Sequence, residues 1–276
     1  MAAIQKKTVL ITGCSTGGIG WALAKNFHER GGFHVFATAR DPSKAADLAE
    51  ELGGDDVEVL ALDVTDPDVI ARCRDAVAER TGGRLDVLVN NAGVEFVSPL
   101  LDVDVAEAKR LYDAFAPLLV EAGGGGVVVN QSSIDAVLSI TWAGIFNSSK
   151  AAAARMSEIP KLELEPLGVR VVTVMCGSAD TPMFGKPGGR MRLPETSYYD
   201  GVQDAAHRER MEHRGKAVKV QVLADKLVGD ILGGARGPVW HGALASITRF
   251  STWAFPTWYV DKLVNGERGL DMVKRC

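Results

Sequence analysis

Two groups of residues in this sequence have types and spacings that suit the binding of a phosphorylated dinucleotide. The first is Thr12-Gly13-Cys14-Ser15-Thr16-Gly17-Gly18-Ile19-Gly20, which follows a short apolar run and leads into a helical pattern. Glycines let the backbone turn sharply and approach a pyrophosphate, and a helix that starts there offers unpaired N–H donors and a positive dipole end. A glycine trio alone says little; lying between strand and helix makes it informative. The second is the end of the next apolar run, Ala37-Thr38-Ala39-Arg40, which carries no Asp or Glu to accept a ribose 2′-hydroxyl. Arg40 offers instead a guanidinium fork to a 2′-phosphate, so the expected cofactor is NADP(H). An ordinary glycine-rich turn and a solvated strand-end arginine are the plain alternatives.

These groups need a sheet to hold them, and the sequence supplies one. Strands are expected over Thr8–Thr12, His34–Ala39, Val57–Leu62, Leu85–Asn90, Val127–Gln131 and Val169–Met175, each a nearly continuous apolar run of the kind covered on both faces. Helical patterns lie between them. One begins near Ile19; another begins at Thr65-Asp66-Pro67, where Thr or Asp can cap and Pro suits the first turn. That alternation predicts right-handed crossovers and one doubly wound α/β domain with a parallel sheet over residues 1–276, a Rossmann fold. Residues 177–219 read as an irregular substrate loop past a strand's carboxyl end. A helix is expected over Val220–Leu232, a short strand over Pro238–His241, and an aromatic tail over residues 238–276.

Bulk properties narrow the function. A formal charge of −4 leaves no basic surplus for nucleic acid. The five His are scattered and the four Cys show no CxxC spacing, so neither a metal site nor a disulfide framework is expected, and isolated thiols suit a reducing, cytoplasmic setting. The amino-terminal stretch does not read as a signal peptide, and no apolar run reaches the roughly 20 residues of a spanning helix. In the tail, Trp240, Leu244, Ile247, Ala254 and Trp258 recur at near-helical spacing until Pro256 interrupts them. Such a segment reads either as an aromatic cover for the substrate pocket or a partner subunit, or as a peripheral contact with endoplasmic reticulum or lipid droplets.

The glycine run resembles the TGxxxGxG of the short-chain dehydrogenase/reductase family, with one residue added. In that form it is most similar to fungal members akin to NADPH-dependent 1-acyldihydroxyacetone-phosphate reductase. Asp63-Val64 is similar to the family's adenine-contacting pair, and Asn90-Asn91-Ala92-Gly93 matches its NNAG. Cys176-Gly177 with Ala179 and Thr181 stands where members carry Pro-Gly and a Thr near the nicotinamide. The resemblance adds Gly13, Ser15, Gly17, Gly18, Ile19, Gly20, Thr38 and Arg40 as cofactor contacts. It also implies a catalytic set: a Ser on the fifth strand, a Tyr that donates a proton, and a Lys four residues later that holds the nicotinamide ribose. Lys150 matches that Lys, and Ser133, thirteen residues before position 146, matches the Ser. The tyrosine position holds Phe146, which has no proton to give.

Two further departures accompany Phe146. No residue matches the family's Asn on the helix before the fifth strand, as if turns were deleted around Leu111-Tyr112-Asp113, and oligomeric state is left open with it. Pro160 should bend or end the helix that follows Lys150. The expected function is an NADP(H)-dependent reductase acting on a carbonyl or hydroxyl of a fairly apolar, lipid or polyketide-like small molecule. Asp135, Ser132, Tyr112 or water would relay the proton. The alternative is a reductase fold with a non-redox catalytic or regulatory role.

Overall fold

A computed structural model describes residues 6–53, 55–93, 107–123, 125–182, 204 and 215–273. The strands are β1 (Lys7–Thr12), β2 (Phe33–Ala39), β3 (Val57–Ala61), β4 (Val87–Asn90), β5 (Val127–Gln131), β6 (Arg170–Cys176), β7 (Ala179–Asp180), β8 (Val218–Lys219) and β9 (Gly237–His241). The helices are α1 (Ile19–Arg30), α2 (Ala46–Leu52), α3 (Pro67–Thr81), α4 (Glu107–Val120), α5 (Gly144–Leu164), α6 (Val220–Leu232), α7 (Ala245–Ala254) and α8 (Thr257–Asn265).

Seven strands form one parallel sheet in the order β3-β2-β1-β4-β5-β6-β9. The chain winds outward from β1 to β3, then returns to lay β4 on the other side of β1, so the order reverses between β1 and β4. Ligands of such sheets bind at the carboxyl ends of the strands beside that reversal. Alternation along each strand divides the core. Val9 and Ile11 face the layer of α1, α2 and α6, while Leu10 faces the layer of α3 and α4. Phe27 of α1 and Phe115 of α4 are fully buried, one on each side.

Local chemistry sets the element ends. Asp66 caps α3, its carboxylate accepting from Asp68 N at 2.9 Å and Val69 N at 3.2 Å, and Pro67 opens the helix. The helix closes on Gly82, with φ 66° and ψ 34°. Two sequence expectations need correction. Helix α5 does not end at Pro160 but continues to Leu164. The tail is two helices rather than one pattern, and Trp240 belongs to β9. The buried residues of these two helices are Ala245, Thr248 and Val260, while Ile247 and Trp258 of the expected stripe are exposed. The ends of the irregular 177–219 segment pair as a parallel ladder, Ala179 with Val218 and Asp180 with Lys219. The rest of that segment, 183–203 and 205–214, lies outside the described residues, as does the Tyr112 side chain.

Candidate active site

The carboxyl ends of β1, β4, β5 and β6 bring most of the predicted residues together. Gly13 and Gly17 have φ of 76° and 74°, a region other residues rarely adopt. A Cβ on Gly20 would stand 2.6 Å from both Gly13 O and Asn91 Nδ2, so the turn lies directly on the strand end behind it. Asn91 and Ala92 form that backing. Their amides donate to Thr12 Oγ1 at 2.9 and 2.8 Å, and Asn91 Nδ2 donates to Thr12 O at 2.8 Å. The side chain of Asn91 thus shapes the cradle. Gly18, at the N-cap of α1, brings no side-chain acceptor, so the helix's first amides stay available to an anion.

Sequence reading missed one organiser of this turn. Asp47, on α2, accepts from Thr16 Oγ1 at 2.9 Å and from Trp21 Nε1 at 2.8 Å, tying the turn to α1. No local pattern announces such a contact. Beside the turn, Arg40 is exposed at the end of β2. The adjacent acid, Asp41, is taken up in a cap: its carboxylate accepts from Ser43 N at 3.1 Å and Ser43 Oγ at 2.7 Å. The Asp63 carboxyl is held below the usual carboxylate range, first by the Thr65 amide, then by the Thr65 hydroxyl, with a smaller contribution from the Arg40 charge. Val64 packs on the core. Thr38 is fully buried, and its hydroxyl donates to Ile11 O at 3.1 Å, so its side chain serves the sheet.

At β5 and α5 the second cluster forms. Ser133 caps a short 3-10 turn, Ile134–Val137, and its Oγ accepts from Asp135 N at 3.1 Å. That bond leaves the Ser133 hydroxyl hydrogen available to an acceptor in the cleft. Ser132 donates to Lys150 O at 2.8 Å, which commits its hydrogen to helix α5. Lys150 Nζ donates to Gln131 O at 3.3 Å and stands 5.7 Å from the centroid of the Phe146 ring. Burial lowers the Lys150 pKa from the ordinary lysine value, while Cys176 and Asp135 act in the opposite direction. Burial also pushes the Cys176 thiol up to about 11, keeping it protonated. Below these groups, Asn90 Nδ2 donates to Asn130 Oδ1 at 2.9 Å and Asn130 Nδ2 to Ser157 Oγ at 2.9 Å. Among the described residues Asn90 Oδ1 meets no donor, a buried acceptor at the strand end.

The end of β6 closes the arrangement. A Cβ on Gly177 would run into Ala243 O, and Gly177 N donates to His241 O at 2.7 Å, so this strand end lies against the start of the tail. A Cβ on Gly17 would stand 3.2 Å from Pro182 Cγ, which carries the segment through Ala179 and Thr181 across the glycine turn. Ser15 and Gly93 are exposed on the open side.

A model of the short chain dehydrogenase family matches residues 7–189 of this sequence. The chain belongs to that family. A short-chain dehydrogenase of Talaromyces islandicus is 40% identical over 281 aligned positions, covering 97% of this chain and 97% of the relative. Those 281 positions exceed what 97% of 276 residues can fill, so the relative carries residues that have no counterpart here. The NADPH-dependent 1-acyldihydroxyacetone phosphate reductase of Schizosaccharomyces pombe is 32% identical, covering 88% of each chain. A short-chain dehydrogenase from Streptomyces avermitilis has the same fold, with a TM-score of 0.76 and 26% identity over 98% of this chain and 100% of that one. In this short-chain dehydrogenase, then, the glycine cradle follows the carboxyl end of β1, and Ser133, Phe146 and Lys150 follow the carboxyl end of β5. Among the described residues no group of His, Cys, Asp and Glu suits a metal ion.

Proposed function

We propose that this chain is an NADP(H)-dependent reductase for the carbonyl of a fairly apolar, lipid or polyketide-like small molecule, working with Phe146 at the position where the family resemblance implies a tyrosine. The observation that carries this reading is the Lys150 ammonium lying over the Phe146 ring, with Ser133 capping the turn that follows β5. The dinucleotide fits the residues present. Free amides at the start of α1 would meet the pyrophosphate, Arg40 a 2′-phosphate, and Lys150 the nicotinamide ribose. Bound there, it supplies a hydride. The NADPH dependence of the Schizosaccharomyces pombe relative and the capping of Asp41 by Ser43 both support the phosphorylated form.

The chain's own residues then orient the carbonyl and handle the proton. Ser133 donates to the substrate oxygen. Phe146 gives nothing, and Ser132 is committed to Lys150 O, which removes it from the relay candidates. Tyr112, water and Asp135, whose charge acts on Lys150, remain to pass the proton. Loss of a principal acid costs about 10²–10⁴-fold in rate. We therefore propose slow turnover, and a shortened helix before β5 in keeping with the residues this chain lacks. The working location is cytoplasmic, with peripheral contact to endoplasmic reticulum or lipid droplets through the tail.

Phe146→Tyr tests the reading. Ketone and aldehyde reduction with NADPH should rise about 10²–10⁴-fold. No gain, with NADPH still bound, favours the second reading, a non-redox binding or regulatory role. Phe146 itself is the observation behind that alternative.

A further inference from the structure

The two tail helices present an exposed aromatic face. Trp253 is 82% and Trp258 68% exposed, and Ile247, Phe250, Phe255 and Leu263 are exposed with them. The rings adjoin. Phe250 lies 6.2 Å from Trp253 and 6.1 Å from Phe255 between centroids, Phe255 5.2 Å from Tyr259, and Tyr259 5.8 Å from Trp258. Five aromatics therefore form one continuous surface, and contiguous apolar patches on a monomer mark an interaction site.

This surface is held in place. Thr141 N donates to Asn265 Oδ1 at 2.9 Å, Asn265 Nδ2 to Ser139 O at 2.8 Å, and Trp142 Nε1 to Arg268 O at 2.9 Å. The tail is thereby fixed to the segment that leads into Phe146.

Charge identifies what meets it. The chain has 35 Asp and Glu and a net charge of −4, yet from Ile231 to Val260 it has none, only Arg236 and Arg249. Lys262 follows on α8. Trp and Tyr settle at the headgroup level of a bilayer, and Arg and Lys are drawn to anionic lipid. A groove of about 720 Å³ opens beside the face, lined by Trp240, Phe250 and Trp253 with Arg249 on its wall, and its one carboxylate, Asp230, is taken up by His241 at 2.6 Å. No described helix is long and apolar enough to cross a membrane, so contact is from one side.

We propose that the α7–α8 face docks on a phospholipid bilayer bearing anionic headgroups, with Trp253 and Trp258 in the headgroup zone and Arg249 against phosphate. This rests on the peripheral-contact part of the function proposed above and adds its residues and its charge preference.

The experiment floats the full chain with vesicles of phosphatidylcholine alone and of phosphatidylcholine with phosphatidylserine. It compares wild type, Trp253→Ser/Trp258→Ser and Arg249→Glu, with circular dichroism melts verifying the fold and light scattering the oligomeric state. The wild type should bind the phosphatidylserine vesicles better. The double variant should lose about tenfold on both vesicles. Arg249→Glu should lose about tenfold on the anionic vesicles only. Equal binding to both vesicles, untouched by Arg249→Glu, overturns the anionic docking while peripheral contact stands. Flotation with neither overturns both. A wild-type dimer that the double variant splits, without vesicle binding, assigns the face to a second copy and overturns the proposal.

Discussion

Arg40 is exposed at the end of β2, and its neighbour Asp41 is bound to Ser43. If it holds a 2′-phosphate, Arg40→Ala should cost about 1.5–3 kcal/mol in NADPH affinity, roughly ten- to a hundredfold, with little effect on NADH. Calorimetry with both cofactors checks this, and equal wild-type affinities would sink the assignment. Phe146 leads to a pH prediction. Reduction of unactivated ketones should respond little to pH between about 6 and 9, and Phe146→Tyr should introduce a titration there. Lys150 leads to one about stability. Its folded pKa lies below its unfolded value because of burial, so at neutral pH the charge counts against folding. That penalty fades as pH rises through the interval between the two values. Lys150→Met should therefore raise Tm by about 2–4 °C at pH 7, less at high pH, while abolishing activity. An unchanged Tm would mean that the charge is better solvated than the geometry suggests.

The glycine turn and β4 work as one unit, since Thr12, Asn91 and Ala92 hold each other through three short bonds. Gly20→Ala would press a methyl into Gly13 O and Asn91 Nδ2, and overpacking of this kind costs about 1–3 kcal/mol. Gly144→Ala, at the start of α5, meets nothing within 4 Å and should stabilise by up to about 1 kcal/mol. Urea melts of both variants give the comparison. Equal effects would show that the turn yields easily. These elements were legible in different degrees. The glycines, Asp63 and the Asn90–Gly93 run stood at strand ends that apolar runs had marked. Asp47, Asn130 and Ser157 were invisible, because each acts on residues some 26 to 40 positions away through side-chain hydrogen bonds that leave no local pattern.

The whole molecule is one body from β1 to α8, and the tail is part of it. Strand β9 pairs with β6, Val174 opposite Val239 and Cys176 opposite His241, and Gly177 lies on Ala243. A chain ending at Gly237 would lose that edge strand, so it should melt non-cooperatively by circular dichroism; a sharp transition near the wild-type Tm would show the sheet complete without it. The sequence alone determined the doubly wound sheet, the glycine turn after β1, the Arg at the end of β2 and the Phe four residues before Lys150. Period, glycine placement and residue chemistry are local properties, readable along the chain. Only the tertiary structure decided that Ser132 is committed to a backbone carbonyl, that Lys150 lies over Phe146, and that the tail's aromatics face outward. Burial and hydrogen bonding depend on what the rest of the chain brings alongside. The same spacing of Trp and Ile describes a buried stripe or an exposed one until Asn265 and Arg268 fix the tail to residues 139–142.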